Sequence, residues 1–308
     1  MSRINKVKFF FSCPADSSFH QERKRNKEAS VSYIETEKKM KSTKSGDNHH
    51  SGISGRILTP RLLKNFIRPK DFYDWVLLPT YFKLAFYWFV VMVGSFIHDF
   101  QPLPQSYLSN KRNVLNVYFV KFGWGWTLLL LIPFISFTSS VYTSLNPFAI
   151  LKHLSRMAVA TWGWYFWVNL FVYIEELTGF CEGEETLISK RSCYQEGFYW
   201  NGFDMSGHSF LLIYSALVIK EELQPKLYWP SIMSPVVQTS PENINRFQHR
   251  NIARLVTPLV EVFSFFAGLL LILWEFMLVF TTIYFHTVYQ KVLGALIAIF
   301  TWYIIYRV

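Results

Sequence analysis

Six apolar blocks bounded by charge constrain this chain more than any other feature of its sequence. They run roughly over Val76–Ile97, Val114–Phe137, Met157–Ile174, Gly207–Ile219, Thr257–Phe285 and Thr287–Tyr306. Crossing a bilayer core of ~30 Å takes about 20 helical residues, and a spanning backbone must satisfy its own polar groups. The blocks therefore predict an all-α, polytopic membrane protein with six transmembrane helices, the fourth of them short. Composition agrees, since 51% of residues are hydrophobic and 19% aromatic, above the share of a soluble domain. No repeat with a period of about 20–50 residues is present, which excludes a solenoid.

Residues 1–70 differ in kind. They hold 16 Lys or Arg against 6 Asp or Glu, a net +10 that equals the formal charge of the whole chain. Such a segment buries too little apolar surface to fold alone. It is expected to be a disordered, basic cytosolic tail, ahead of a six-helix transmembrane domain over 71–308. Its VKFFFSC run is too short for a signal-peptide core. Basic charge beside a membrane domain suits a solubilising tail or anionic lipid, and no nucleic-acid partner is expected.

Lysine and arginine also fix the orientation, because cytosolic loops carry the excess. With six spans, the N-terminus, residues 138–156, residues 220–256 and the C-terminus share one face, with 16, 2, 5 and 1 of these residues. The other face has 2 in 98–113 and 2 in 175–206, so the split is 24 to 4. Both termini are expected in the cytosol and the 175–206 loop in the lumen. That loop is acidic (Glu175, Glu176, Glu182, Glu184, Glu185, Glu196, Asp204) and holds Cys181 and Cys193. An oxidising compartment permits a disulfide between them. Two free thiols fit the spacing nearly as well.

Ionisable residues gather toward the luminal half. In GFDMSGHSFLLIYSALVI the apolar run after His208 covers only Ser209–Ile219 before KEE, roughly 17 Å of the ~30 Å core. With Lys220 and Glu221 at the cytosolic surface, His208 lies roughly 10 Å inside. Lys121, behind SNKRN, reaches about 10 Å down; Lys291 follows His286 to about 7 Å. Lys111 and Arg112 stand at the luminal entrance. Alone, either intramembrane lysine could snorkel and His286 could be an ordinary interfacial residue. Together they describe an anion site, because charge inside a membrane is costly. Lys83, near the cytosolic end of the first span, reads as a snorkelling residue.

Ser-Gly-His at a helix start suits phosphate. Amides and dipole at a helix mouth favour an anion, Gly207 lets the backbone come close, and Ser206 adds a hydroxyl. Phosphoryl transfer needs a nucleophile, an acid for the leaving group and cations for the phosphoryl oxygens. His208 and His286 are the candidate catalytic residues; Ser206, Gly207, Lys111, Arg112, Lys121 and Lys291 are candidates for binding phosphate. The Cys and His spacing matches no metal-ligand motif, so neither a metal nor a cofactor is expected.

Four stretches, YLSNKRNVLNVYFVKFGWGWT, LKHLSRMAVATWGWYF, GFDMSGHSFLL and TTIYFHTVYQKVLGALIAIFTWY, resemble the fat storage-inducing transmembrane family, fungal members included. The likeness covers most of residues 71–306. It implies an endoplasmic-reticulum protein supporting lipid-droplet biogenesis and phospholipid homeostasis. It also implies hydrolysis of fatty acyl-coenzyme A at its pyrophosphate, giving acyl 4′-phosphopantetheine and adenosine 3′,5′-bisphosphate. The family is distantly similar to lipid phosphate phosphatases. Its two functional histidines map onto His208 and His286, the latter as nucleophile.

Three positions depart from the phosphatase pattern. Met205 stands for a proline, no Ser-Arg precedes His286, and Gln290 stands where an aspartate would orient that histidine. Glu275 is about 16 Å away along a helix, too far to replace it; Asp204 or a loop glutamate could do so. One rival is a non-catalytic protein that binds and partitions neutral lipid (diacylglycerol or triacylglycerol), its Trp124, Trp126, Trp162, Trp164 and Trp167 facing lipid. Another is a transporter with a midplane anion site, which the lack of internal repeats disfavours.

Overall fold

The computed structural model describes residues 70–100, 104, 106–110, 112–143, 145–183, 189–230 and 244–308. The basic tail and Lys111 lie outside them.

The first apolar block is two helices, not one. Helix α1 covers Lys70–Val76 and α2 covers Thr80–Phe100. Pro79 separates them, because it lacks a donor and disfavours helical geometry in the residue before it. The second block is also split. A 3₁₀ turn (Tyr107–Ser109) and a π-helical turn (Leu115–Val120) precede α3, Gly123–Tyr142. The expected Val114–Phe137 span thus breaks near Lys121, where the Lys121 amide reaches the Asn116 carbonyl at 3.1 Å.

Helix α4 covers Pro147–Thr178 and begins well before the expected Met157. Asn146 caps it, its Oδ1 accepting the amides of Phe148 (3.1 Å) and Ala149 (3.4 Å), with proline at the first helical position. The expected 138–156 loop therefore shrinks to a tight turn. Strands β1 (Phe180–Glu182) and β2 (Tyr199–Asn201) pair antiparallel around the short α5 (Lys190–Gln195), a small exception to the all-α expectation. A disulfide joins Cys181 to Cys193. Helices α6 (Gly207–Glu222), α7 (Ile244–Tyr284) and α8 (Val288–Arg307) complete the chain.

Among the described residues five helices, α2, α3, α4, α7 and α8, are long and apolar enough to cross a membrane. With 16 residues, α6 is shorter, about 24 Å, and differs from the six spans expected. It is nevertheless the centre of the molecule. Twelve of its residues are buried, and α3, α7 and α8 surround it while α2 packs outside on α7 and α8. A helix apolar on every face belongs inside. Small residues allow the closest crossings: a Cβ on Gly94 of α2 would collide with Thr282 Oγ1 of α7.

The far end of α6 carries charge into the bundle. Glu222 accepts from Tyr306 Oη at 2.9 Å and pairs with Arg156 at 3.1 Å. Glu221 pairs with Lys220 and with Arg307, each at 3.2 Å, and accepts from Thr80 at 3.0 Å. Lys83 is a correction. It is fully buried rather than snorkelling, with Nζ 2.6 Å from Glu275, which also accepts from Tyr87 (2.9 Å) and Trp75 (2.7 Å). A charge at this depth is tolerable because each has a partner.

Candidate active site

The other end of α6 holds His208. Ser206 caps the helix, its Oγ accepting the Ser209 amide at 3.2 Å and donating to Ser209 Oγ at 2.9 Å. The Ser206 amide donates to the Gln290 carbonyl of α8 at 3.3 Å. A Cβ on Gly294 would stand 2.7 Å from the Ser206 carbonyl, so glycine there lets α8 press on this turn. The Gly207 amide turns back to the Met205 carbonyl at 2.7 Å. The helix mouth is thus closed largely by its own chain, and its open feature is the space in front of Gly207, where a Cβ would meet nothing within 4 Å.

His286 lies in the three-residue turn between α7 and α8. Its φ is 61°, in the left-handed region that few residues other than glycine adopt. Strain of this kind persists only where the surroundings hold it, and the surroundings here are specific. The last carbonyls of α7 have no helical partner; Lys291 Nζ, buried, donates to that of Thr282 at 2.8 Å. His98 Nδ1 donates to the carbonyl of Ile283 at 3.0 Å. On the α8 side, the Thr287 amide donates to Gln290 Oε1 at 3.0 Å. Gln290 therefore serves the start of α8 rather than His286.

The carboxylate comes from elsewhere in the chain. Asp204 Oδ2 lies 3.7 Å from His286 Nδ1. Glu275 is engaged with Lys83 at the opposite end, as its distance along α7 required. Asp204 reaches the site because the disulfide-closed ribbon is fastened to the end of α4: the Phe203 amide donates to Thr178 Oγ1 at 3.0 Å, and Trp200 Nε1 to the Glu175 carbonyl at 3.4 Å.

The two imidazoles meet, with ring centroids 6.4 Å apart and planes at 43°. His208 Nε2 is 2.9 Å from Oδ1 of Asn116, in the π-helical turn. Ser206 and Gly207 adjoin this pair, while Lys291 braces the turn from behind through Thr282. Arg112 and Lys121 are exposed, and Lys111 lies outside the described residues. Sequence reasoning passed over Asn116 and His98. The signal for the first was the SNKRNVLN motif, inspected for its cations and not for its asparagines. The second closes the apolar block that α2 is built from, at the same end as the catalytic candidates. Two imidazoles, each with a polar partner on one ring nitrogen, can supply a nucleophile and an acid to a phosphate between them.

Residues 104–175 and 172–306 match the model of a family described as fat storage-inducing transmembrane protein. An acyl-coenzyme A diphosphatase FITM2 of Xenopus tropicalis is 42% identical over 226 residues, 71% of this chain and 78% of the relative. The protein of that name in Homo sapiens is 40% identical over 220 residues, 69% and 76% of the two chains. In Drosophila melanogaster the figures are 37% over 245 residues, 74% of this chain and 58% of the relative. No solved structure matches the chain.

Proposed function

The chain belongs to the fat storage-inducing transmembrane protein family, and on that premise we propose that it is an acyl-coenzyme A diphosphatase acting within a membrane. The reaction adds water across the pyrophosphate of a fatty acyl-coenzyme A, releasing acyl 4′-phosphopantetheine and adenosine 3′,5′-bisphosphate. The observation that carries the reading is the 6.4 Å approach of the His208 and His286 rings. Nothing in membrane packing requires two imidazoles from separate elements to converge, whereas a phosphoryl transfer that uses one as nucleophile and the other as acid does.

His286 attacks phosphorus through Nε2, with Asp204 beside Nδ1 keeping the proton on that nitrogen. A carboxylate 3.7 Å from one ring nitrogen favours the proton there and leaves the lone pair on the other. His208 donates to the leaving phosphate. Ser206, Gly207, Lys111, Arg112, Lys121 and Lys291 are the candidates for the phosphate oxygens; Ser206 and Gly207 would first release Ser209, Gln290 and Met205, and Lys291 the Thr282 carbonyl.

The endoplasmic-reticulum membrane, with both termini cytosolic and the histidines toward the lumen, is the setting we favour. Support comes from the 24-to-4 split of Lys and Arg and from a disulfide beside the site, a bond that persists in oxidising compartments. Under this reading α6 is a sixth, shortened crossing that draws His208 below the surface, and membrane lipids, diacylglycerol or triacylglycerol among them, are its neighbours.

Purified protein incubated with a long-chain acyl-coenzyme A should release adenosine 3′,5′-bisphosphate. His208→Ala and His286→Ala should each remove this by orders of magnitude, and the double variant should add little, as for residues acting as a unit. Acid quenching should trap a phosphohistidine that His286→Ala lacks. Wild-type rates in both single variants would overturn the enzyme and leave a non-catalytic lipid-binding protein.

A further inference from the structure

Building on the phosphoryl-transfer reading, we propose that Asn116 is the positioning residue for His208: its amide oxygen holds the Nε2 proton, so Nδ1 is the nitrogen offered to the reacting phosphate.

An amide oxygen only accepts, so across the 2.9 Å contact the His208 Nε2 must donate. A bond at one ring nitrogen decides the state of the other. The backbone that carries this carboxamide is held by a run of asparagines three residues apart. Asn110 Oδ1 accepts the Arg112 amide at 2.8 Å, and Asn113 Nδ2 donates to the carbonyls of Asn110 (2.9 Å) and Leu108 (3.3 Å). Asn113 Oδ1 then accepts the Asn116 amide at 2.7 Å. The Asn116 carbonyl accepts from Lys121, five residues on. Asparagine competes with helical bonding in just this way, and widened turns of this kind recur at functional sites. Asn116 is 8% exposed, so its oxygen is shielded from water that would compete for the imidazole.

The partners of the two imidazoles differ, and so do their tasks. A carboxylate beside His286 Nδ1 keeps the proton there and enriches Nε2, as a nucleophile requires. A neutral carboxamide orients His208 without adding a charge, as suits an acid that must release its proton. In the first step the Nε2 lone pair of His286 forms the N–P bond and the anhydride P–O bond breaks. That electron pair passes to the leaving phosphate oxygen, which takes the proton from Nδ1 of protonated His208. Water then attacks the phosphohistidine and returns its proton to Nδ1. The Nε2–H···Asn116 bond is retained throughout.

The tautomer can be read directly. Full-length protein in detergent, labelled with ¹⁵N-histidine, should show a neutral His208 protonated at Nε2, with His208→Ala identifying the signal. Asn116→Leu should convert that signal to a mixture and lower kcat roughly 10- to 100-fold, the usual effect of losing a histidine's outer partner, with KM within about twofold. Asn116→Asp keeps the acceptor and should keep the Nε2-protonated signal, while its added charge, which favours the protonated imidazole, should leave kcat below the wild-type value. A wild-type signal protonated at Nδ1 overturns the proposal even if Asn116→Leu does not fold. So does a folded Asn116→Leu with unchanged kcat. Failure of the function itself has a different signature: His208→Ala would hydrolyse acyl-coenzyme A at the wild-type rate, and the positioning role would fall with it although the tautomer stood.

Discussion

Lys83 Nζ stands 2.6 Å from Glu275 Oε1, with the two side chains 0% and 5% exposed. The pair joins α2 to α7 at the end of the bundle remote from the histidines, and Trp75 ties α1 to the same carboxylate. Removing one partner of a buried pair leaves an uncompensated charge, a loss of about 3–5 kcal/mol. Glu275→Gln and Lys83→Met should each lower the thermal midpoint of detergent-solubilised protein by several degrees. The double variant Lys83→Met/Glu275→Leu should recover part of the loss, since a well-packed apolar pair often replaces an ionic one at little cost. Single variants as stable as the wild type would show that the contact contributes nothing net.

Asp204 should matter to turnover more than to binding. It faces the His286 ring across 3.7 Å and is 54% exposed, so its removal leaves no buried group unsatisfied. Asp204→Asn is expected to cut kcat roughly 10- to 100-fold, the scale for a partner that orients a functional histidine. KM should stay within about twofold. Steady-state kinetics on acyl-coenzyme A decide it; an unchanged kcat would dismiss Asp204 and return the role to a loop glutamate.

The Cys181–Cys193 bond closes a 12-residue separation in the ribbon that carries Asp204. Constraint of the unfolded chain by a loop of this size is worth about 3 kcal/mol. Cys181→Ser/Cys193→Ser should therefore melt earlier and, through looser placement of Asp204, turn over more slowly. Dithiothreitol added to the wild-type protein should reproduce both effects. A reduced protein with full kcat would mean that the ribbon's packing on α4 suffices to place the carboxylate.

Topology gives a separate test. Glu196 is exposed beside the ribbon, and Val308 is exposed beyond α8 at the Glu221 end. Cysteines introduced there should label from opposite faces of sealed microsomes, Val308→Cys from the cytosolic side. Cytosolic labelling of Glu196→Cys would place the histidines on the cytosolic face, where acyl-coenzyme A would meet them directly.

The sequence by itself determined the membrane class, because apolar blocks of near-bilayer length leave helices as the main way to satisfy the backbone. It also singled out His208 and His286, since each stands at the end of an apolar block, where a polar residue is conspicuous. Block edges were less legible. Pro79 divides α1 from α2 and Asn146 starts α4 early, because local capping and proline geometry override hydropathy. Lys83 shows the limit of reading charge along one dimension. A lysine near a helix end looks free to snorkel, and only the α2–α7 crossing, made close by Gly94 against Thr282, brings Glu275 to it. The partners of the histidines were harder to read for the same reason: Asp204 stood as one candidate among the loop carboxylates, and Asn116 was not singled out. Asn116 and Asp204 reach the rings through a π-helical turn and a disulfide-closed ribbon, elements with no hydrophobic period to announce them. A hydrogen bond acts over about 3 Å, and which residues come that close is decided by how α6 is enclosed by its neighbours, not by their order in the chain.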